Sequence, residues 1–150
     1  MKVKIHSKHV DAKLKAAMHS MCGYALARLG ISNRISKNLN ITIHMGHHSN
    51  EGEARVAKDA NRYRPRDFKI NLDHHRMEKD DYNRSLGDTE WGHRVLRTLA
   101  HELVHVKQYI VGELSWRDAG LLWKGVNHNP LNLLHYYELP YEVEAHGREY

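Results

Sequence analysis

Two histidines four residues apart, with a glutamate beside the first, are the residues of this chain best suited to chemistry. They read His101-Glu102-Leu103-Val104-His105. At 3.6 residues per turn, positions i and i+4 lie one above the other on a single helix face. Two imidazoles so placed can bind one metal ion, and a carboxylate next to the first can reach a water on that metal. The chemistry this offers is hydrolysis. A zinc ion lowers the pKa of its water to about 7, and Glu102 would take the proton as general base.

The flanks weigh against a chance match in a chain with 14 histidines. Leu96, Leu99, Leu103, Val106 and Ile110 recur at steps of three and four, the stripe of an amphipathic helix. That stripe fills roughly 60° of arc, with His101 and His105 almost opposite and Glu102 on the flank. Such a helix buries its aliphatic side and offers its histidine side to a cleft. Two solvated histidines on an ordinary surface helix are the alternative. The reading that follows is a small zinc metallopeptidase.

A catalytic zinc needs a third protein ligand and an open position. Downstream candidates are His128, His135, Glu138, Glu142, Glu144 and His146. The segment Pro140-Tyr141-Glu142-Val143-Glu144-Ala145-His146 resembles the later helix of gluzincin zinc peptidases, which carries E-x-x-A or E-x-x-x-D. Glu142 and Ala145 match the first pattern, so the resemblance implies Glu142 as third ligand, with Glu144 in reserve. The two lie about 200° apart on a helix, so one faces the metal and the other complements the helix dipole.

HELVHVKQY, Trp123-Lys124-Gly125 and LPYEVEAHGRE together resemble a group of small phage-encoded metallopeptidases related in shape to SprT-like domains, over roughly residues 90–150. The resemblance implies one Zn2+ per chain and a protein or peptide substrate. It also implies that Trp123-Lys124-Gly125 lies on a strand or turn beside the cleft. Gluzincins often place an Asp four residues after the ligand Glu, where it orients a zinc-bound histidine; here that residue is His146. A partner that fixes the ligand tautomer must come from elsewhere. Tyr137 and His135 are candidate oxyanion stabilisers, with Tyr136, Tyr141 and His128 nearby in sequence.

The elements that must position these groups are legible in the periodicity. Residues 9–30 read as a helix closed by Gly30, with Leu14, Ala17, Met18, Met21, Ala25 and Leu29 inward. Residues 39–45 and 68–73 alternate as strands, and residues 53–66 read as a charged loop or short irregular segment. A long helix capped by Asp88 or Thr89 runs to about Gly112. Leu121-Leu122-Trp123 starts a short strand, and Pro140 opens the last helix. The expected architecture is α+β: one minimal zincin domain over residues 1–150, with a small, mostly antiparallel sheet on a long active-site helix.

Composition bounds the remainder. One hundred and fifty residues suit one core, and a mean hydropathy of −0.72 suits a polar chain. Cys22 is the single cysteine, so no internal disulfide is possible and a small core residue is expected. No membrane span or signal peptide is read, which points to a cytoplasmic protein, in the host cytoplasm if phage-encoded. The net charge of +5 permits nucleic-acid association. Arg62, Arg64 and Arg66, with Tyr63 and Phe68 interleaved, form the one stretch resembling a patch, and a solvated loop is the plainer reading. His44, His47, His48, His74 and His75 read as loop histidines rather than a second metal site. Rival functions are a zinc-binding interaction module without efficient turnover, a SprT-like protease acting on nucleic-acid-bound proteins, and, less favoured, a cell-wall amidase.

Overall fold

Alternation at the very start of the chain makes a strand that the basic character of the segment conceals. Lys2-Val3-Lys4-Ile5-His6 forms β1 (Lys2–His6), with Val3 and Ile5 turned to the core side. The computed structural model describes residues 1–8, 10–46, 51–58, 60–74, 76–78, 87–117, 120–127 and 139–148.

Helix α1 (Ala12–Arg28) starts at Asp11, whose side chain accepts from the Leu14 amide at 2.7 Å. It closes in a Schellman arrangement. Gly30, at φ +87°, donates to Ala27 O, and Ile31 N donates to Leu26 O. Met18, Cys22 and Leu26 are its fully buried residues, so Cys22 is the small core residue expected. A short helix, α2 (Asn33–Ser36), leads into β2 (Asn40–Gly46).

β3 (Gly52–Val56) and β4 (Asp67–Asp73) complete a four-stranded sheet in the order β1-β2-β4-β3. The first part of the charged segment read as a loop is thus an edge strand. β1 and β4 run parallel to β2, and β3 runs antiparallel to β4. The α+β class stands, but two of the three pairings in this sheet are parallel, against the expected mostly antiparallel sense. The cause is α1, which carries the chain back across the sheet so that β2 starts at the same end as β1.

The register sorts the two faces. Val3, Ile41 and Phe68 share one row with Val56, and Ile5, Ile43 and Ile70 share the next with Ala54. These apolar rows meet α1 and α3 (Asp88–Ile110), which buries Val95, Leu99, Leu103, Val106 and Ile110 against them. Each fully buried aliphatic side chain contributes about 1.5–3 kcal/mol. The α3 N-cap is Gly87 rather than Asp88 or Thr89; both sit inside the first turn, where Asp88 and Glu90 complement the dipole.

Beyond α3, β5 (Leu114–Arg117) and β6 (Gly120–Trp123) form an antiparallel hairpin. Lys124 (φ +48°) and Gly125 (φ +84°) make the turn after it. Helix α4 (Pro140–Arg148) begins at the proline, as its fixed φ favours, and lies against α3.

Candidate metal centre

Helix α3 presents His101 and His105 to α4, which covers them, and Glu102 toward the edge strand β3. All three are buried, as is Glu142 of α4 at 4% exposure. The histidine side is therefore roofed by a second helix rather than left as an open cleft.

Glu142 is the hub. Its Oε2 lies 3.2 Å from His101 Nε2, and its Oε1 lies 3.1 Å from His105 Nε2. Two donors about 2.0–2.1 Å from one tetrahedral zinc stand about 3.3 Å apart, so these separations suit a shared ion. Glu144, the reserve ligand, faces elsewhere. It accepts from Lys107 Nζ at 2.9 Å and from Gln108 Nε2 at 3.3 Å. The two glutamates divide as a helix requires, one to the histidines and one to a lysine.

Gln108 orients His105. Its Nε2 donates to Tyr141 O at 3.0 Å and to Glu144, so its Oε1 is the atom facing His105 Nδ1, at 2.8 Å. An oxygen there accepts, which places a proton on Nδ1 and leaves the Nε2 lone pair directed at the Glu142 carboxylate. A lone pair and an anion 3.1 Å apart repel unless a proton or a cation lies between them. This donor set fits a divalent metal. The spacing from His105 to Gln108, three residues along one helix face, was the available signal.

His146 is the neighbour where an Asp was expected. Its ring sits 4.6 Å from that of His101, and its Nε2 is 4.0 Å from Glu142 Oε2. His101, Glu142 and His146 form a possible metal-holding group with donor atoms within 4.8 Å of one another. His105 approaches Glu142 more closely and is buried, whereas the His146 side chain is 43% exposed. The shorter contacts favour His101, His105 and Glu142, with His146 at the margin.

Glu102 is poised differently. Burial pushes its carboxyl up to about 7, opposed by His105 and His101 and assisted by Glu142 and Glu53. A general base near the working pH needs such a value. Glu142 moves the other way: burial alone would raise it, but hydrogen bonds with His101 and His105 hold it well below the carboxylate range. Burial opposes protonation of His105, yet its bond to Glu142 and the charge of Glu102 raise its pKa.

The edge strand closes the other flank. A Cβ on Gly52 would lie 2.7 Å from Glu102 Oε1 and 2.8 Å from Thr98 Cγ2, so only glycine lets β3 approach α3 this closely. Glu51 beside it binds Arg94 of α3 at 2.9 and 3.2 Å. Trp123 packs at a tilt against Tyr141 with centroids 6.2 Å apart, and the Tyr141 ring lies 6.2 Å from that of His105. Trp123-Lys124-Gly125 is thus a strand end and turn close to the histidines.

His128, His135, Tyr136, Tyr137 and Glu138, with His47, His48 and His75, lie outside the described residues. His44 stacks on His6 across β1 and β2, with centroids 4.8 Å apart, and His74 is buried after β4. No protein-family model matches the chain, and neither the curated proteins nor the solved structures give a match.

Proposed function

We propose that this chain is a zinc-dependent metallopeptidase, with His101, His105 and Glu142 holding one Zn2+ and Glu102 acting as general base. The observation that carries this reading is the convergence of His101 Nε2 and His105 Nε2 on the two oxygens of Glu142, at 3.2 and 3.1 Å, with Gln108 Oε1 2.8 Å from His105 Nδ1. Bound there, zinc would acidify a water and polarise a peptide carbonyl. The chain's own residues do the rest. Glu102 takes the proton of the attacking water and passes it to the leaving amine. Gln108 holds His105 in one tautomer. The Glu51–Arg94 pair ties β3 to α3, keeping the edge strand against Glu102.

Elemental analysis of protein purified without a metal-binding tag tests the centre. About one zinc per chain is expected in the wild type and in Glu144→Ala, with loss in Glu142→Ala. No zinc in the wild type after reconstitution would sink the proposal. Glu102→Gln should keep the metal and lose hydrolysis of a denatured-protein substrate.

A second reading, a zinc-binding module without turnover, is favoured by His146. A fourth protein ligand would close the site, and closed sites are structural. Cobalt substitution separates the two. If His146 is a ligand, His146→Ala changes the visible spectrum of the cobalt form; if it only borders the site, the spectrum stays. Among the described residues, no helix is long and apolar enough to cross a membrane.

A further inference from the structure

The face of the four-stranded sheet turned away from the helices carries its own pattern. The register sets Lys4, Thr42, Lys69 and Arg55 in one row across all four strands. Lys2, Asn40 and Asp67 form the row on one side of it, and His6, His44, Asn71 and Glu53 the row on the other. Lys2, Lys4, Arg55 and Lys69 are all exposed. At one end of the face Asn71 and Asp73 are buried, with Arg76 on Asp73 at 3.4 Å, so its open part is the rows of Lys2 and Lys4. Glu53 accepts from Arg55 at 2.6 Å, and Asp67 accepts from Asn40 at 2.6 Å.

Two features mark this face as more than a solvated surface. Parallel sheets are ordinarily covered on both faces, yet this one has a parallel core of β1, β2 and β4 and, among the described residues, helices on one side. And Lys69 and Arg55 are direct cross-strand partners, a like-charge pairing that weakens a sheet. The chain tolerates that repulsion in the middle of the row.

The chemistry of the face selects its partner. Neighbouring strands are about 4.8 Å apart, so the row from Lys4 to Arg55 spans about 14 Å, a length suited to successive phosphates of one strand. Between the cations lie hydrogen-bonding groups. Among the described residues, none of the exposed large apolar side chains lies on these four strands, so the strands offer no anchor for lipid. One more cation flanks its end: Arg66 O accepts from Asn40 N at 2.8 Å, placing Arg66 beside the first row.

We propose that this open sheet face binds a nucleic-acid strand through its phosphates, with Lys4, Lys69 and Arg55 as the principal contacts. Binding is electrostatic and independent of base sequence. The site is separate from the metal centre, which lies on the helical side of the sheet, and does not depend on it.

The test is fluorescence anisotropy of the full chain with a labelled oligonucleotide of about 20 nucleotides, single-stranded and duplex, at about 50 to 200 mM salt. Lys4→Glu/Lys69→Glu alters the face. Lys13→Glu/Arg28→Glu makes the same charge change at exposed positions of α1 on the other side. Affinity for the oligonucleotide should fall with salt. The face variant should lose about tenfold or more and flatten the salt dependence by about two ions, while the α1 variant stays within about threefold. Lys4→Gln/Lys69→Gln, which keeps the alternation with half the charge change, should show a smaller loss in the same direction, still about threefold or more, and the α1 pair Lys13→Gln/Arg28→Gln should show less. Chelation of metal should leave binding unchanged. Equal losses in face and α1 variants, no binding at the lowest salt, or tighter binding to phosphatidylserine vesicles than to the oligonucleotide would each overturn the proposal.

Discussion

Two charged regions of this molecule obey different physics. Beneath α4, Glu102, Glu142, His101 and His105 share a space almost closed to water. On the outer sheet face, Lys2, Lys4, Lys69 and Arg55 stand in solvent. In the first region each group's protonation depends on its neighbours: Glu102 is pushed up to about 7 while Glu142 is held low. In the second, water and salt weaken every pairwise effect. The buried region should therefore respond to single substitutions sharply and non-additively. The sheet face should respond weakly in stability and in proportion to the charge removed.

The largest effect is expected at Glu102. Glu102→Gln keeps the shape of the side chain and removes the base, so hydrolysis should fall about 10³-fold with zinc content unchanged. The contrast between metal retained and turnover lost is the decisive readout, made by elemental analysis beside a peptidase assay. Turnover retained would remove Glu102 from the mechanism.

Next is the pH dependence of the metal-stripped protein. Glu102 has a raised folded pKa, so its contribution to stability is fully present below the ordinary carboxylate value and is lost as pH rises through about 7. The loss is on the order of 3 kcal/mol. Glu142 is depressed, so its contribution is present above the ordinary value and lost as pH falls. His105, raised by its partners, loses its contribution as pH rises. Melting temperatures at pH 5 and 8 should therefore drop more in the wild type than in Glu102→Gln, which keeps only the His105 part. Equal drops would mean that Glu102 is hydrated and not perturbed.

Gln108→Leu comes third. It leaves α3 helical but takes the acceptor from His105 Nδ1. Zinc affinity, read by competition with a chromophoric chelator, should weaken about 10- to 100-fold. An unchanged affinity would mean that His105 is held by packing alone.

How far the sequence discloses these regions follows from the range of the interactions. The α3 stripe, the Gly30 stop and the strands around Ile43 and Ile70 are local patterns, and periodicity suffices for them. The assembly of Glu142 with His101 and His105 spans some forty residues. Only the resemblance to a known helix pattern suggested it. Gly52 has no signature, because its need arises from the approach of Glu102, fifty residues away. β1 is masked by its charge: Lys2-Val3-Lys4-Ile5-His6 alternates, but with only Val3 and Ile5 apolar the pattern is too short to mark a strand. The cationic row is invisible in sequence as well. Lys4, Arg55 and Lys69 become neighbours only through the strand order β1-β2-β4-β3, and that order depends on the parallel crossover that the expected antiparallel sheet lacked.

The smallest effect sharpens the comparison most. Lys69 faces Arg55 directly across β3 and β4 and is exposed. Opposite charges across an antiparallel pair stabilise and like charges destabilise, by about 0.2–1 kcal/mol. Lys69→Glu should therefore leave the melting temperature unchanged or raise it by a few degrees at low salt, and added salt should erase the gain. The same substitution belongs to the pair expected to weaken oligonucleotide binding. Gaining stability while losing the ligand is the signature of a residue kept for recognition. A loss above about 1 kcal/mol would instead give Lys69 a structural role, and the division between a coupled interior and an independent, functional surface would fail at its central residue.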